Sequence, residues 1–391
     1  MPEKYGILTL NSISAAGLER FPASRYQVGS KIASPDAILL RSFKMHDMAI
    51  PESVLAIGRA GAGTNNIPVS RMTEKGIPVF NTPGANANAV KELVLAAMLM
   101  GARNLIPAIR FAESLKGGEI GKQVEEGKKA FAGNELPGHT LGIIGLGAIG
   151  RLVAESAIRL GMRVKGYDPE ITVDAAWSLP SQVVRAYSIE DLLKGSDFVT
   201  LHIPLLDSTK NLIDAKRIAS MKNGAILLNF AREGIVDEEA VIEAIDAKKI
   251  KSYICDFPSE KLIGKQGIIA FPHLGASTRE AEDNCAIMVA DQVMDYLENG
   301  NIRNTVNFPS IDMPRESAYR VAIVNANVPN MLGQISTAFA EGGINIHNMA
   351  NKSRGEIAYT LADIDSPAQA SVIEKIASIP GVVRVRDLAA K

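Results

Sequence analysis

Five short stretches of this chain carry side chains able to do chemistry together. The string GLGAIG at 145–150 follows an apolar run and opens a helical pattern, and the next apolar run ends at Asp168. Gly145 permits a tight turn, Gly147 lets the backbone approach a pyrophosphate, and Gly150 allows the helix to pack close to the strand. The amides of Ala148 and Ile149 then face the phosphates from the helix N-terminus. Asp168 can accept hydrogen bonds from both adenosine ribose hydroxyls and repels a 2′-phosphate. The glycine string alone is weak; with strand, helix and carboxylate in place it points to NAD rather than NADP. Three more polar residues stand at or just past the ends of later apolar runs: Arg232 in NFAREGIVDEEAV, Glu260 in CDFPSEK and His273 in FPHLGAST. Ligands of open α/β sheets bind at the carboxyl ends of strands, so these side chains can converge beside a nicotinamide.

Positioning them requires a sheet. Apolar runs at 141–145, 162–168, 197–203, 224–230, 252–257 and 267–272, separated by amphipathic stretches, predict six strands of a doubly wound domain. Earlier runs, YGILTL, DAILLRS, VLAIGRA and IPVFNTP, predict a smaller parallel α/β unit, and the Ala-, Leu- and Met-rich stretch from Ala87 to about Leu105 a long helix leading out of it. STREAEDNCAIMVADQVMDYLENG is helical by period and ends at Gly300, long enough to run back to the first domain. The Pro-, Asn- and Ser-containing stretch 303–317 reads as a linker, and the remainder follows a βαββαβ order with two helices on one face of a small sheet. The fold class is α/β: a discontinuous Rossmann-like domain (1–87 with 284–302), a second Rossmann-like domain (88–283), and a C-terminal module (318–391).

Forty-two basic against 43 acidic residues give a net charge of −1 with no long run of either sign, which disfavours nucleic acid and anionic membrane surfaces as partners. Cys255 and Cys285 fit no metal-ligand spacing, so no metal is expected, and two reduced thiols suit a cytoplasmic protein. No apolar stretch reads as a secretory signal or membrane span.

NFAREGIVDEEAV and PHLGASTREAEDN resemble the two signature blocks of the D-2-hydroxyacid dehydrogenase family, and the similarity covers nearly the whole chain. The resemblance implies an oxidoreductase in which Arg232, Glu260 and His273 are catalytic. His273 would take the hydroxyl proton while hydride leaves the same carbon. Glu260 would fix the imidazole tautomer, and Arg232 would hold the substrate carboxylate with its planar fork. CDFPSE places Glu260 four positions after Asp256, one fewer than the family pattern. The same carry-over implies NAD contacts at His202, Ile203, Phe230, Ala231, Asp256, Leu274, Gly275 and Ala276, with Pro204 and Thr209 in a loop lining the same crevice.

LLRSFK, GRAGAGTNNI and FNTPGANANAV resemble the substrate-facing blocks of the members that act on 3-phosphoglycerate. The substrate set is then Arg41, Ser42, Arg59, Ala60, Gly61, Ala62, Gly63 and Asn86, together with Arg232 and His273. The glycine-rich turn would present amides to a carboxylate, and the two arginines would meet a phosphate. The family implies hinge closure around its ligands and a homodimer or homotetramer, with the helix after Ala87 and the segment 104–135 contributing to the interface. The C-terminal module resembles an ACT domain, for which Asn325, Asn327 and Asn345 match positions that bind L-serine in inhibited relatives. Two positions depart from that pattern: Asn325 stands where His is common, and Asn330 replaces the usual Gly. The expected reaction is oxidation of 3-phospho-D-glycerate in serine biosynthesis. Hydroxypyruvate, glyoxylate or 2-oxoglutarate reduction on the same scaffold is the enzymatic alternative, and an NAD-sensing corepressor the non-enzymatic one.

Overall fold

The computed structural model describes residues 4–388. The chain divides into two compact units: residues up to Asn86 together with those from Arg279 onward, and Ala87–Thr278.

The first unit begins with β1 (Tyr5–Leu10), α1 (Ala15–Leu18), β2 (Tyr26–Gly29), β3 (Ala37–Leu40), β4 (Ala56–Arg59), α2 (Val69–Glu74) and β5 (Val79–Phe80). The strands form a parallel sheet in the order β2-β1-β3-β4-β5. The four expected strands are present. The edge strand β2 was not expected, because YQVG has no continuous apolar run and only Tyr26 is buried.

The second unit holds α3 (Ala87–Ala102), α4 (Leu105–Ser114), α5 (Ile120–Gly127) and a 3-10 turn, then β6 (Thr140–Ile144), α6 (Ala148–Arg159), β7 (Arg163–Tyr167), α7 (Val173–Trp177), β8 (Val184–Arg185), α8 (Ile189–Gly195) and β9 (Phe198–Leu201). It ends with α9 (Ala215–Ser220), β10 (Ala225–Asn229), α10 (Glu238–Asp246), β11 (Ile250–Cys255) and β12 (Ile268–Ala270). Its seven strands lie in the order β12-β11-β10-β9-β6-β7-β8, all parallel. Six match the expected runs; the seventh, β8, is two exposed residues with no apolar signature. The order reverses between β6 and β9, which is where open sheets of this kind admit a ligand.

The chain returns to the first unit through α11 (Arg279–Asn299). Gly58 lets this helix lie close to β4, since a Cβ there would come within 2.6 Å of Val289. The stretch 303–317 lies against β5: the Asn307 side chain accepts from the Val79 amide at 2.8 Å and donates to the Ile77 carbonyl at 3.0 Å, and Phe308, Ile311 and Met313 are buried.

β13 (Tyr319–Ala326), α12 (Met331–Glu341), β14 (Ile346–Arg354), β15 (Ile357–Ile364), α13 (Ala370–Ala377) and β16 (Val382–Asp387) complete the unit, with an antiparallel sheet in the order β14-β15-β13-β16. Alternation along β13 splits its side chains between two cores. Val321 and Ile323 face the two helices, whereas Ala322 and Val324 join the core that contains Phe80, Val293 and Tyr296. On that second face Arg320 and Asp363 stand opposite each other in register, fully buried and paired at 2.6 Å. The Arg320 guanidinium also donates to the carbonyls of Asn299, Met313 and Pro314, so one side chain ties the end of α11 and the segment after it to the sheet.

Among the described residues no single helix is long and apolar enough to cross a membrane, and no cluster of three or more His, Cys, Asp or Glu could hold a metal ion.

Candidate active site

In the second unit the loops after β6 and β9 meet at the point where strand order reverses. Gly145 has φ +93°, in the left-handed region, and a Cβ on it would lie 2.4 Å from the His202 carbonyl oxygen. A Cβ on Gly150 would lie 2.0 Å from the Gly145 carbonyl, whereas one on Gly147 would meet no heavy atom within 4 Å. Two glycines are therefore required by packing, and the middle one leaves an open approach to the first-turn amides of α6, which have no intrahelical acceptor. This arrangement fits a pyrophosphate. Asp168, at the end of β7, accepts from the Leu146 amide at 2.8 Å and from the Glu170 amide at 3.0 Å. The carboxylate thus braces the glycine loop and keeps lone pairs for the ribose hydroxyls.

His202 follows β9. Its Nε2 lies 3.0 Å from the Thr200 hydroxyl, its Nδ1 is buried without a protein partner, and burial pushes its pKa down to about 3, so the ring is neutral. Ile203 and Pro204 follow, and the Thr209 hydroxyl closes their loop by donating to the Pro204 carbonyl and accepting from the Leu206 amide, both at 2.7 Å.

The strands that carry the expected trio are neighbours. Asn229, Cys255 and Ala270 are aligned in register at the carboxyl ends of β10, β11 and β12. Arg232 and His273 each come three residues beyond this line, and Glu260 five. Buried Asn229 shapes the turn after Phe230: its amide donates to the Arg232 carbonyl at 2.9 Å and its oxygen accepts from the Ala231 amide at 3.1 Å. Arg232 itself is exposed, donating to the Ala231 carbonyl at 2.6 Å.

His273 is exposed and has φ +58°, a conformation uncommon outside glycine. Asp256 holds it there. Its two carboxylate oxygens accept from the Leu274 and Gly275 amides, both at 2.7 Å, and the Phe257 ring packs edge-on against the imidazole at 5.1 Å. Burial pushes the Asp256 pKa up, opposed by the amides of Gly275 and Leu274 and the nearby His273. Ala276 follows, half-buried.

Glu260 is not joined to His273 by a hydrogen bond, and among the described residues it makes no hydrogen bond or ion pair. Its neighbours are tied to the start of α10, Ser259 to Glu238 at 2.8 Å and Lys261 to Glu239 at 2.5 Å, which leaves Glu260 exposed between them.

Asn229 was missed in the sequence, although a polar residue closing the buried run GAILLN was a usable signal. The bracing role of Asp256 left no signal, because it depends on which amides the chain brings back to it. Replacing Asp256 by Asn puts an amide donor where two N–H groups need acceptors. Displacement of the His273 turn is expected to lower kcat about 10- to 100-fold and to weaken NADH binding along with it, measured by fluorescence titration. An unchanged kcat would show that the turn holds without the carboxylate.

In the first unit, Arg41 and Arg59 are adjacent. The Arg59 Nε donates to the Arg41 carbonyl at 3.1 Å, and the Arg41 guanidinium pairs with Glu282 of α11 at 2.7 Å. Gly61 is needed beside them, since a Cβ there would sit 2.0 Å from Arg59 Nη1, and its φ is +148°. Its amide donates to the Arg59 carbonyl, and the Ala62 carbonyl accepts from the Asn81 side chain. Ala60 is buried, Gly63 half-buried, and Ser42 accepts weakly from Asn11 at 3.5 Å. Asn86, half-buried, ends this part of the unit.

In the C-terminal module Asn325 is buried in β13, donating to the Ala326 carbonyl with its own oxygen unpartnered, whereas Asn327 and Asn345 are exposed. Asn327 donates to the Gly355 carbonyl at 3.1 Å, and the Asn345 amide donates to Asp365 at 3.2 Å.

Residues 95–275 match the NAD binding domain of the D-isomer specific 2-hydroxyacid dehydrogenases. The chain is 38% identical over 324 residues to the D-3-phosphoglycerate dehydrogenase of Methanocaldococcus jannaschii, an alignment spanning 81% of this chain and 59% of that protein. It is 32% identical to the D-3-phosphoglycerate dehydrogenase of Escherichia coli strain K12, over 86% of this chain and 82% of the relative. The crystal structure of NAD+-bound 3-phosphoglycerate dehydrogenase from Entamoeba histolytica superposes with a TM-score of 0.62 at 28% identity, covering 78% of this chain and 99% of that one. With a glycine loop shaped for a pyrophosphate, Asp168 behind it and Arg232 and His273 past the carboxyl ends of β10 and β12 in the same sheet, this chain belongs to the NAD-binding D-2-hydroxyacid dehydrogenase family, among the homologues of D-3-phosphoglycerate dehydrogenase.

Proposed function

We propose that the protein oxidises 3-phospho-D-glycerate to 3-phosphooxypyruvate with NAD, the entry to phosphorylated L-serine synthesis. The observation that carries the reading is the imidazole of His273, held at a strand end of the second unit by the bracing of Asp256; the first unit by itself sets two cations, Arg41 and Arg59, side by side, and these groups suit a phosphorylated hydroxy acid. NAD, held by the α6 amides and Asp168, supplies the acceptor for the hydride. His273 takes the C2 hydroxyl proton onto its free ring nitrogen, and the cation that results is stabilised by the nearby Asp256 carboxylate. Arg232 binds the substrate carboxylate through two N–H donors and so fixes which face of C2 is presented. Glu260 serves the imidazole only after the 257–262 turn moves, because its carboxylate here is exposed and unengaged.

Arg41 and Arg59 discriminate the substrate by meeting its phosphate, which must displace Glu282 from Arg41. Hydrogen bonds to charged groups contribute about 1.5–3 kcal/mol, so Arg41→Ala and Arg59→Ala should each raise KM for 3-phosphoglycerate roughly 10- to 100-fold. Turnover of unphosphorylated 2-hydroxy acids should be unaffected, as read by NADH absorbance. Equal losses on both substrate types would remove the phosphate role, and better turnover of hydroxypyruvate, glyoxylate or 2-oxoglutarate by the parent would reassign the substrate. The same assay with L-serine tests feedback through the C-terminal module, for which exposed Asn327 and Asn345 are the available polar contacts; no inhibition would leave that module structural.

The helices α4 and α5 bury no side chain within the chain and expose Leu105, Ile109, Ile120 and Val124, so a second copy is proposed to cover them. A monomer mass by light scattering would refute this.

A further inference from the structure

β11 carries a tyrosine where packing alone asks only for an apolar ring. Tyr253 is 3% exposed and lies in the apolar cluster that contains Leu227, Val241 and Leu262. A phenolic hydroxyl in such surroundings is costly unless it is hydrogen-bonded, and phenylalanine would fill the same space without that cost. Here the hydroxyl is engaged. Tyr253 stands opposite Leu227 in register, so its ring reaches diagonally to the next residue on that face of β10, Asn229, whose side-chain amide donates to the phenolic oxygen at 3.3 Å. The hydroxyl is also hydrogen-bonded to the thiol of Cys255, its neighbour on the same face of β11.

Asn229 connects this buried hydroxyl to the active-site turn. Its oxygen accepts from the Ala231 amide and one of its N–H groups donates to the Arg232 carbonyl. Those two bonds move with the turn. The third, to Tyr253, ends on the adjacent strand and gives the amide a fixed reference. Burial pushes the Tyr253 pKa well above its ordinary value and that of Cys255 up to about 11, so both groups stay protonated across the neutral range and act by position. The Arg232 guanidinium is exposed and reaches back to the Ala231 carbonyl of the same turn, so a small shift of that backbone is passed to the end of a long side chain. We propose that Tyr253 is a positioning residue for the reaction: acting through Asn229, its hydroxyl fixes the turn from which Arg232 reaches the substrate carboxylate. The proposal rests on the reading in which Arg232 holds that carboxylate.

Tyr253→Phe, Arg232→Lys and the double variant are compared in the full chain by NADH absorbance, with 3-phosphoglycerate or whichever 2-hydroxy acid the parent oxidises fastest. Arg232→Lys keeps the charge and loses the planar fork. Tyr253→Phe is expected to lower kcat/KM about 3- to 10-fold, the value of one hydrogen bond, with the NADH dissociation constant and the pH profile of kcat/KM unchanged. In the Arg232→Lys background the same change is expected to cost less than about twofold, because the group it positions has gone. Tyr253→Met, which fills similar space and also lacks the hydroxyl, takes its place if Tyr253→Phe does not fold. A kcat/KM within about twofold of the parent, weakened NADH binding, or an equal loss in both backgrounds overturns the proposal. The hydroxyl would then only stabilise the strand pair, which thermal unfolding reads. Full activity in Arg232→Lys itself would withdraw the carboxylate clamp, and the proposal with it.

Discussion

Replacing His273 by Gln is expected to lower kcat for hydroxy-acid oxidation by about two to four orders of magnitude, the usual contribution of a positioned proton acceptor. The substituted amide keeps a similar size and can still pack near Phe257, but it cannot take a proton near neutral pH. Because the His273 side chain is exposed and the glycine loop is braced separately by Asp168, NADH affinity should be nearly unchanged. The chain's single tryptophan, Trp177, stands nine residues beyond Asp168 and is 85% exposed, which gives a direct binding readout by quenching or energy transfer to NADH. A fall in kcat of less than tenfold would assign the proton to another group. Loss of NADH binding along with activity would instead mean that the substitution had disturbed the 273–276 turn.

The second large effect concerns stability. Arg320→Met should destabilise the first unit by about 3–5 kcal/mol, the cost of leaving one member of a buried ion pair without the other. Asp363 would remain fully buried beside an apolar side chain, and the carbonyls of Asn299, Met313 and Pro314 would lose their donor together. Replacing both residues, Arg320→Met with Asp363→Leu, should recover much of the loss, because the desolvation of two charges disappears with them. Chemical denaturation of the parent, the single and the double variant measures this; a single variant within 1 kcal/mol, roughly the value of an exposed pair, would show that the pair contributes little.

The same pair sets a pH dependence. Burial opposes ionisation of Asp363, but hydrogen bonds from Arg320 and the Glu316 amide outweigh it and hold the pKa below the ordinary carboxylate value. With the folded pKa depressed, the contribution is complete above the unfolded pKa and is lost as pH falls through the folded one. Acid should therefore unfold the parent over a range below the normal carboxylate value, and the double variant should lack this component.

The two doubly wound sheets were legible because their central strands are buried on both faces and so read as unbroken apolar runs, as in AILLN and SYIC. The strands missed, YQVG and Val184–Arg185, are edges that need bury little, and nothing in their composition separates them from loops. The βαββαβ order of the C-terminal module was legible as well, and its two helices are α12 and α13. At the site, the glycine loop and Asp168 were legible because each residue type is required by local geometry. Arg232 and His273 were placed at or just past strand ends of that sheet, because ligands of open α/β sheets bind at the carboxyl ends of strands. The residues that hold them are another matter. Asp256 reads in the sequence as a candidate cofactor contact, whereas its oxygens face the amides of Leu274 and Gly275, eighteen and nineteen positions away. Likewise Gly61 reads as a turn that offers amides to a ligand, whereas the space it vacates is taken by Arg59. Pairings that depend on which distant segment returns to a given spot leave no periodicity to read.

The C-terminal sheet does more than hang from the rest of the chain. Its inner face supplies Ala322, Val324, Tyr359 and Leu361 to the same hydrophobic core as Phe80 and Tyr296, while Arg386 stacks 4.6 Å over the Tyr296 ring and donates to the Leu297 carbonyl. Cutting the gene at residue 318 would not yield a trimmed chain with the rest of its fold intact. It would strip the oil from one side of α11, leave aromatic rings facing water, and deliver a fragment prone to aggregate. In this chain the C-terminal sheet and the scaffold are inherited as a single object.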